Sequence, residues 1–592
     1  MERERLIVAV DFGTTYSGIA FCHWNQKELR DIDVVTSWSN NGVAPKVPTE
    51  IRYVNGRDPR WGSEASLACE RRQVANSAII YNRFKLLLDV KGGSGLYQDG
   101  STSLDEIKLP PNKSALNVST DYLKLLYGEL MEKILRRRLR DTLDLTPIHF
   151  IFTVPAIWGH QAQHATKLAA VRAGFSSRPS DKLSLVSEPE AAALFVLKAM
   201  HEANFSRIST GAVPSLAKGD TFVVCDAGGG TVDLISYEVE KVQPTFRLRE
   251  AAVGTGAKCG SSYIDQAFIQ LLRQKIGPKF DDDRIWNKKD FGQGSALMKT
   301  FDSIKRSFGQ TTNDVWYIEL PVDVEDDEAN GISENELEFT AEELEELFEP
   351  VVQQVISLVN DQVKSVQNSG KGVSAIFLVG GFGESHYLYQ SLVQWSDRQD
   401  PPLTIINPQD SWSAIMKGAV VYALDPAIRS RRLRQHYGFE CGVPFDHRKH
   451  DISRAYSCPF QSGLRASGEV TWCGGKGDDY SEERELSFSL YKRIRNRHDL
   501  LKAGHFILYG STKPTAPTFV DDSGVDVLGN ISADFSSISL DSLPVGYQKN
   551  KGVVTKVYQV SYELRMKLQS ADVSFSVFLN GRCVGSASLS YL

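Results

Sequence analysis

The sequence predicts an α/β protein with two duplicated lobes, followed by a smaller antiparallel β domain. Two segments that read alike, residues 6–16 (LIVAVDFGTTY) and 221–233 (TFVVCDAGGGTVD), indicate the duplication. Strand-like and helix-like stretches alternate up to about residue 425, which is typical of α/β folds. From Tyr437 onward, apolar residues occupy every second position, as in half-buried strands. We therefore expect one lobe at 1–205, the other at 206–428, and the β domain at 429–592.

Length, composition and charge narrow the class of protein. At 592 residues the chain is too long for one hydrophobic core, and 42% hydrophobic with 24% charged residues is an ordinary composition for a water-soluble protein. A net charge of −6 gives no electrostatic basis for binding nucleic acid or an anionic membrane. The eight cysteines form no CxxC pair, so neither a cysteine-ligated metal site nor a disulfide framework is expected. With no secretory leader or membrane-spanning run in the sequence, we expect a cytoplasmic or nuclear location.

Each of the two similar segments is a short apolar run that ends in an aspartate followed by glycine and threonine. The apolar run predicts a buried strand, and the turn after it lets backbone N–H groups and hydroxyls surround an anion. Asp11 and Asp226 can hold a metal ion, directly or through water, that neutralises phosphate charge. No local element contains both aspartates, but two lobes that face each other across a cleft can. The pattern therefore predicts a nucleotide clamp.

Hydrophobic spacing assigns the elements of the first lobe. We expect strands at 47–54, 149–154 and 183–186, and helices at 64–88, 121–143 and 161–173. Residues 91–120, rich in Gly, Ser and Pro, predict an exposed excursion. A further helix begins at 187–189, with Pro189 in its first turn, where the missing N–H is tolerated.

The second lobe and the β domain follow from the same patterns. We expect strands at 234–239 and 376–379, a basic helix at 301–307, and a solvated acidic loop at 325–338. Thr340 caps a long helix, with Glu343 at the capping-box position. In the β domain, strands are predicted at 486–490, 506–509 and 558–568, and Asn580-Gly581 predicts a hairpin turn.

Three further blocks accompany the two loops in order along the chain. They are FKL with Lys85, VSEPEAAA with Glu188, and FLVGGFGES with Gly380 and Gly381. A single glycine-rich turn is weak evidence, but the ordered set resembles the heat-shock 70 (seventy-kilodalton, DnaK-like) chaperone family, and in particular its divergent, shortened branch. The resemblance covers roughly residues 5–425. It implies a two-lobed, actin-like and ribonuclease-H-like ATPase domain ahead of the β domain.

The resemblance also implies ATP or ADP and Mg²⁺ as cofactors, with a role for each matching position. The first phosphate loop would comprise Asp11, Gly13, Thr14, Thr15 and Tyr16, and the second Asp226, Gly228, Gly229, Gly230, Thr231 and Asp233. Catalysis would fall to Lys85, Glu188, Asp226 and Thr231, with magnesium held through water by Asp11 and Asp226. The adenosine side would comprise Asp302, Lys305, Arg306, Gly380, Gly381 and Phe382.

Some of these residues also have structural interpretations. Taken alone, Lys85 can be a surface lysine whose stem covers apolar side chains, and Glu188 can be an acid that favours a helix N-terminus. Phe382 and Glu384 stand where the family generally has serine and arginine, so one half of the arginine sandwich around adenine is missing. Phe382 can stack in its place or pack in the core.

The expected function is a slow, magnesium-dependent ATPase whose nucleotide state controls the binding of protein clients or partners through the β domain. The resemblance implies a co-chaperone or exchange factor as a further partner, whereas neither nucleic acid nor a membrane is expected. Residues 425–436 are basic where the family has a short aliphatic and acidic linker, and we expect no helical lid. Chaperone activity therefore carries over less firmly than nucleotide binding. The alternatives are a nucleotide-gated scaffold with little or no hydrolysis and a small-molecule kinase on the same fold.

Overall fold

The chain forms two compact units, Met1–Ala427 (unit 1) and Ile428–Leu592 (unit 2). The structure is a computed structural model. It describes residues 5–39, 42–54, 58–65, 79–89, 107–201, 216–242, 247–281, 295–310, 314–408, 410–425, 427–458, 463–481, 485–536, 538–550, 553–569, 572–579 and 581–590.

The first half of unit 1 is built around one mixed sheet of parallel and antiparallel strands, together with two small antiparallel sheets. Its strands are β1 (Leu6–Phe12), β2 (Tyr16–His23), β3 (Asp33–Val34), β4 (Ser37–Trp38), β5 (Gly42–Val43), β6 (Val47–Pro48), β7 (Glu50–Val54), β8 (Asp58–Trp61), β9 (Ile80–Asn82), β10 (Ile148–Val154) and β11 (Lys182–Ser187). Its helices are α1 (Ala115–Gly128), α2 (Arg136–Leu139), α3 (His160–Ala173) and α4 (Glu188–His201), with a π-helical segment at Glu129–Leu135 and 3-10 turns at Leu29–Asp31, Phe84–Leu88 and Arg140–Asp144.

The second half of unit 1 repeats the alternation of strand and helix. Its strands are β12 (Thr221–Ala227), β13 (Val232–Lys241), β14 (Arg247–Ala257), β15 (Val315–Glu319), β16 (Ile332–Ser333), β17 (Glu336–Thr340), β18 (Ala375–Val379) and β19 (Thr404–Ile406). Its helices are α5 (Ser262–Ile276), α6 (Ala296–Ser307), α7 (Ala341–Asn368), α8 (His386–Ser396) and α9 (Ala414–Leu424), with 3-10 turns at Gly277–Asp281, Glu328–Asn330 and Ser411–Ser413.

The two halves share one strand arrangement, as the duplicated segments predicted. In the first sheet the order is β11-β10-β1-β2-β3; β1 runs parallel to β10 and antiparallel to β2. In the second, β19-β18-β12-β13-β14 follow in order, and β12 runs parallel to β18 and antiparallel to β13. All seven residues of β1 and of β12 are buried, which explains their unbroken apolar runs. Asp11 and Asp226 thus occupy equivalent places near the ends of equivalent strands.

The last helix of unit 1 packs on elements of the first half of that unit. Helix α9 packs against α4 and β1. A Cβ atom added to Gly418 would lie only 1.7 Å from the backbone oxygen of Ala191 in α4. Glycine at this position therefore permits the two helices to approach closely.

Most predicted elements are present, but three predictions were wrong in part. The first helix after the excursion begins at Ala115 rather than at residue 121, because Ser114 caps it by accepting a hydrogen bond from the Asn117 amide. Of the predicted helix at 64–88, residues 66–78 lie outside the described residues, and the last part forms β9 and a 3-10 turn. The acidic segment at 325–338 is not simply a solvated loop: Ile332 and Leu337 are buried, and the segment contributes β16 and the start of β17.

Unit 2 is an antiparallel β structure with its own hydrophobic core. Its strands are β20 (Ile428–Arg432), β21 (His436–Pro444), β22 (Ala455–Ser457), β23 (Leu464–Gly474), β24 (Asp479–Ser481), β25 (Leu486–Ile494), β26 (His505–Ser511), β27 (Asp526–Ser532), β28 (Val545–Asn550), β29 (Val553–Gln569), β30 (Asp572–Leu579) and β31 (Arg582–Ser590). Its described residues also form the helix α10 (Arg497–Ala503) and 3-10 turns at Ile452–Arg454 and Leu540–Ser542. The strand order β22-β23-β21-β26-β27-β31-β30-β29-β25, with β28 on β29, agrees with the alternating pattern.

Two general features bear on the sequence predictions. Among the described residues, no helix is both long enough and apolar enough to cross a membrane. The seven cysteines in the described part of the chain are all free thiols, and Cys225 and Cys259 are buried.

Candidate functional site

The turns that follow β1 and β12, residues 11–16 and 226–231, are here named the first and second aspartate-tipped loops, and they have the same span. In the second loop, the amide of Gly228 donates a hydrogen bond of 3.0 Å to the carbonyl oxygen of Thr231. In the first, the equivalent residues are Gly13 and Tyr16, and a Cβ atom on Gly13 would lie 2.2 Å from the Tyr16 oxygen. Only glycine leaves room for that turn. The internal duplication thus extends from the sheets to the loops.

The two loops touch each other. A Cβ atom added to Gly229 would lie 2.2 Å from Thr15 Oγ1, and one added to Gly230 would lie 2.5 Å from Thr14 Oγ1. The backbone of the second loop therefore packs directly on the threonine side chains of the first. The fold has brought together two motifs that are more than 200 positions apart in the sequence.

The second loop is supported from behind by the start of α5. The amides of Ser261 and Ser262 donate to the carbonyl oxygens of Gly228 and Gly229 over 3.2 and 2.9 Å. A Cβ atom on Gly260 would lie 2.4 Å from the Gly229 carbonyl carbon. These contacts fix the loop backbone before any ligand binds, which is the preorganisation that an anion-binding loop requires.

Four buried carboxylates, from Asp11, Glu188, Asp226 and Asp233, lie within electrostatic range of one another. Burial, and then the neighbouring carboxylates, raise the pKa of Asp226 well above its ordinary value. Burial and Glu188 raise the pKa of Asp233 to about 7. Burial likewise raises the pKa of Glu188, although the Lys85 ammonium opposes this. The cluster therefore favours binding of a cation.

Lys85 and Glu188 form a buried ion pair. Lys85 Nζ lies 2.8 Å from Glu188 Oε1 and 5.1 Å from the centre of the Trp158 ring, and the residue is 1% exposed. The alternative of a surface lysine is therefore wrong. Glu188 is the first residue of α4, so its helix-terminal position is compatible with the ion pair. Removing one partner of such a pair costs about 3–5 kcal/mol, because the other charge stays buried.

The arrangement fits magnesium bound through water. Asp226 Oδ1 is buried and has no hydrogen-bond partner, and an oxygen in that state accepts a metal-bound water or a cation. Within the part of the chain that the structure describes, no group of three or more His, Cys, Asp or Glu residues is placed to ligate a metal. Asp11 and Asp226 are thus suited to a hydrated ion rather than to a fully dehydrated one.

A cavity of about 1020 Å³ borders both loops and extends to α6. Of the predicted site residues, it is lined by Thr15, Tyr16, Gly229, Asp302, Lys305, Arg306, Gly381 and Phe382. Its size suits a nucleotide-sized ligand. The structure therefore places part of the predicted phosphate and adenosine sets around one cavity, whereas Asp11, Lys85, Glu188, Asp226 and Thr231 are not among its lining residues.

Helix α6 supplies a network of ion pairs to this cavity. Arg306 Nε lies 2.8 Å from Asp302 Oδ2, and Lys305 Nζ lies 2.5 Å from Asp265 Oδ1. Burial works to raise the pKa of Asp302, but Lys305 and Arg306 hold it below its ordinary value. Burial, with the Asp302 carboxylate, raises the pKa of Tyr16 to about 12. These four charged groups and the Tyr16 hydroxyl can hydrogen-bond a ribose or a base.

The loop after β18 packs on the second aspartate-tipped loop. Gly380 has a φ of +89°, and a Cβ atom there would lie 2.5 Å from Asp226 Oδ1. The amide of Phe382 donates to the Ala227 oxygen over 2.9 Å. Phe382 is 4% exposed and belongs to the hydrophobic core, so core packing is its main contact. Glu384 also lines the cavity, where it introduces a carboxylate.

Sequence reasoning missed three residues of the site. Lys46 Nζ lies 2.6 Å from Asp11 Oδ2, and Thr153 Oγ1 donates to Asp11 Oδ1 over 3.1 Å. Asp265 binds Lys305 from α5. None of these residues belongs to a local motif, and only the pairing of β6 with β2 and of β10 with β1 brings the first two to Asp11.

The comparison with known protein families agrees with this geometry. A family model described as Hsp70 protein matches residues 125–427, which include Glu188, the second aspartate-tipped loop, α6 and the Gly380 loop. The chain belongs to the Hsp70 family. The family and the actin-like α/β fold predicted from the sequence are thereby confirmed.

Curated Hsp70 relatives match over most of the chain. Heat shock 70 kDa protein 12A of Homo sapiens is 26% identical, over 91% of this chain and 86% of the relative. Heat shock 70 kDa protein 12B of Homo sapiens is 27% identical, over 96% and 89%. Chaperone protein DnaK of Stenotrophomonas maltophilia is 23% identical, over 70% of this chain and 59% of its own length. The chain is therefore an Hsp70-like protein related to both groups of relatives.

Proposed function

We propose that this Hsp70-family chain binds ATP and ADP with Mg²⁺ in the cleft of unit 1 and hydrolyses ATP slowly. The observation that supports this most is the contact of the two aspartate-tipped loops, Thr14 against Gly230 and Thr15 against Gly229, beside a cavity of nucleotide size. Two fixed loops that face each other can hold a polyphosphate from both sides. Such an arrangement catalyses phosphoryl transfer by positioning and charge.

Each buried polar residue then has a distinct task. When bound, Mg²⁺ neutralises phosphate charge; Asp11 and Asp226 would hold it through water. Lys85 provides a positive charge fixed by its pair with Glu188. Glu188, whose pKa burial raises, is suited to accept a proton from an attacking water. Thr231, buried at the second loop, would orient that water.

The base and ribose would bind along α6. Asp302, Lys305 and Arg306 already form a charged network that lines the cavity. The paired glycines Gly380 and Gly381 would let the backbone approach the nucleotide closely.

Unit 2 would bind a protein partner or client, and the nucleotide state of unit 1 would bias that binding. The relatives named as chaperones suggest this role, with a co-chaperone or exchange factor as a further partner. The location of the protein in the cytoplasm or nucleus stays a prediction.

Single-turnover hydrolysis of γ-labelled ATP tests the proposed ATPase. We expect Lys85→Met and Glu188→Gln to slow product formation by about 100-fold or more, because each removes a charged group placed for the transition state. The double variant Lys85→Met/Glu188→Gln removes both buried charges and avoids the cost of an unpaired ion. It keeps the test valid if a single variant does not fold.

Lys124→Met is the matched control, because Lys124 is exposed on α1 and lies outside the cavity lining. It loses the same charge and should hydrolyse ATP at the wild-type rate. If the wild type binds Mg·ATP but forms no product above background, the chain is a nucleotide-gated scaffold. Lys85 is 1% exposed and is not among the residues that line the cavity, which favours that second candidate.

A further inference from the structure

Lys46 places a positive charge beside the first aspartate-tipped loop. Its Nζ lies 2.6 Å from Asp11 Oδ2, while Thr153 Oγ1 occupies Asp11 Oδ1 at 3.1 Å. Both oxygens of Asp11 therefore have partners before any ligand arrives. The Asp11 carboxylate is neutralised by the chain itself, whereas Asp226 Oδ1 has no hydrogen-bond partner.

The backbone holds Lys46 firmly in this place. Lys46 directly precedes β6, which pairs with β2 through Val47 and Ser17. The amide of Thr49 donates to the Thr15 oxygen over 2.8 Å, and the hydroxyls of Thr49 and Ser17 are 2.8 Å apart. The segment is thus fastened to the first loop, so the lysine is presented at low entropic cost.

Lys46 is also open to the ligand cavity, which Lys85 is not. Lys46 lines the cavity, and its side chain is 15% exposed. Lys85 is 1% exposed and is absent from the cavity lining. The other cations that line the cavity, Lys299, Lys305 and Arg306, all belong to α6. Among the described residues, Lys46 is therefore the cavity-lining cation next to the phosphate loops.

We propose that Lys46 is a phosphate-binding residue that bridges Asp11 and the nucleotide polyphosphate and supplies part of the positive charge that the divalent metal otherwise provides. This inference rests on the proposed nucleotide binding. An ammonium has three donors, and the bond to Asp11 uses one of them. The others can reach phosphate oxygens as charge-assisted hydrogen bonds. Nucleotide affinity should consequently depend less on metal than it would with magnesium as the only phosphate counter-ion.

Titration calorimetry with ADP, once in excess Mg²⁺ and once in EDTA, tests this role. We expect the wild type to retain measurable ADP binding in EDTA. Lys46→Met should weaken that metal-free affinity by about tenfold or more, since a charge-assisted hydrogen bond is lost. In Mg²⁺ the loss should be smaller, because the metal compensates. Lys46→Arg keeps the charge and should retain most of the metal-free affinity.

A second pair of variants separates the loss of the Lys46 charge from any misfolding caused by an unpaired Asp11. Lys46→Met leaves the buried Asp11 carboxylate without its cation, so Lys46→Met/Asp11→Asn is compared with Asp11→Asn alone. Lys124→Met, on the exposed face of α1, should leave both affinities unchanged. If Lys46→Met weakens ADP equally in Mg²⁺ and EDTA, or not at all, or if the wild type binds only with Mg²⁺, the role of Lys46 is refuted. If the wild type does not bind ADP even in Mg²⁺, the proposed function itself fails.

Discussion

Asp226 keeps a buried carboxylate oxygen without a hydrogen-bond partner, close to Glu188, Asp233 and Asp11. A buried charge in that state is unfavourable, and burial with mutual repulsion raises the pKa values of three of these groups. Proteins retain such local instability where a ligand relieves it. We therefore interpret the carboxylate cluster as a site whose charge is balanced by the bound cation.

Asp233→Asn should stabilise the ligand-free protein, and more so at high pH. The folded-state pKa of Asp233, about 7, is above its ordinary value of 3.8, so stability falls as the pH rises from about 4 to about 7, and the loss is complete above that pH. Asparagine removes that loss and can still accept the hydrogen bond from the Ile157 amide. We expect the melting temperature of the variant to exceed that of the wild type by about 2 °C or more at pH 8, and by less at pH 5.

Thermal unfolding without nucleotide or metal, followed at both pH values, measures the difference. An equal difference at pH 5 and pH 8 would contradict the raised pKa of Asp233.

Among individual residues, the sequence predicted those that belong to a recognisable local motif. Asp11 and Asp226 end apolar runs and precede glycine turns, and the structure places both near the ends of equivalent buried strands. Lys46, Thr153 and Asp265 have no such signature, because their place depends on strand pairing and helix packing across long separations. The sequence did not decide whether Phe382 packs in the core or stacks on adenine, because that depends on how β18 and its neighbours pack.

Elements with strong periodicity or capping were the easiest to predict. Helix α7 begins after Thr340 with the expected capping box, in which the Glu343 amide donates to Thr340 Oγ1 and Glu343 Oε2 accepts from the Thr340 amide. The prediction for the acidic segment at 325–338 was wrong in part, because its many charges obscure Ile332 and Leu337, which are buried in β16 and β17. Charge density alone does not exclude a strand when alternate residues are buried.

The close approach of α4 and α9 links helix packing to the candidate site, because α4 begins at Glu188. Gly418→Ala should destabilise the protein by about 1–3 kcal/mol, because its Cβ would lie 1.7 Å from the Ala191 oxygen and the helices must move apart. Since α4 begins at Glu188, that movement should also disturb the Lys85–Glu188 pair and weaken nucleotide binding. Thermal unfolding and ADP titration measure the two effects.

Gly128→Ala is the matched control for this substitution. It lies at the end of α1, and nothing is within 4 Å of its added Cβ. We expect this change to be neutral or to stabilise by up to about 1 kcal/mol, because alanine restricts the unfolded chain more than glycine does. Equal effects of the two substitutions would show that the contact of α4 with α9 is not tight.

Across the whole of unit 1, duplication explains how the two halves of the candidate site come to face each other. Two sheets of the same topology each end a central strand in an aspartate and a glycine turn, and the two turns meet. Contacts between the halves hold this arrangement: Ile157 donates to Asp233 over 2.9 Å, and Lys258 Nζ donates to the Asp89 oxygen over 2.9 Å. The repeated motif predicted this relation from the sequence, whereas these cross-contacts depend on the folded arrangement.

A crystal structure of the chain with ADP and Mg²⁺ tests the central claim most directly. We predict that the diphosphate lies between the two aspartate-tipped loops, in contact with residues 13–16 and 228–231, with the metal hydrated beside Asp226. A nucleotide bound elsewhere, or held by one loop alone, would contradict the account.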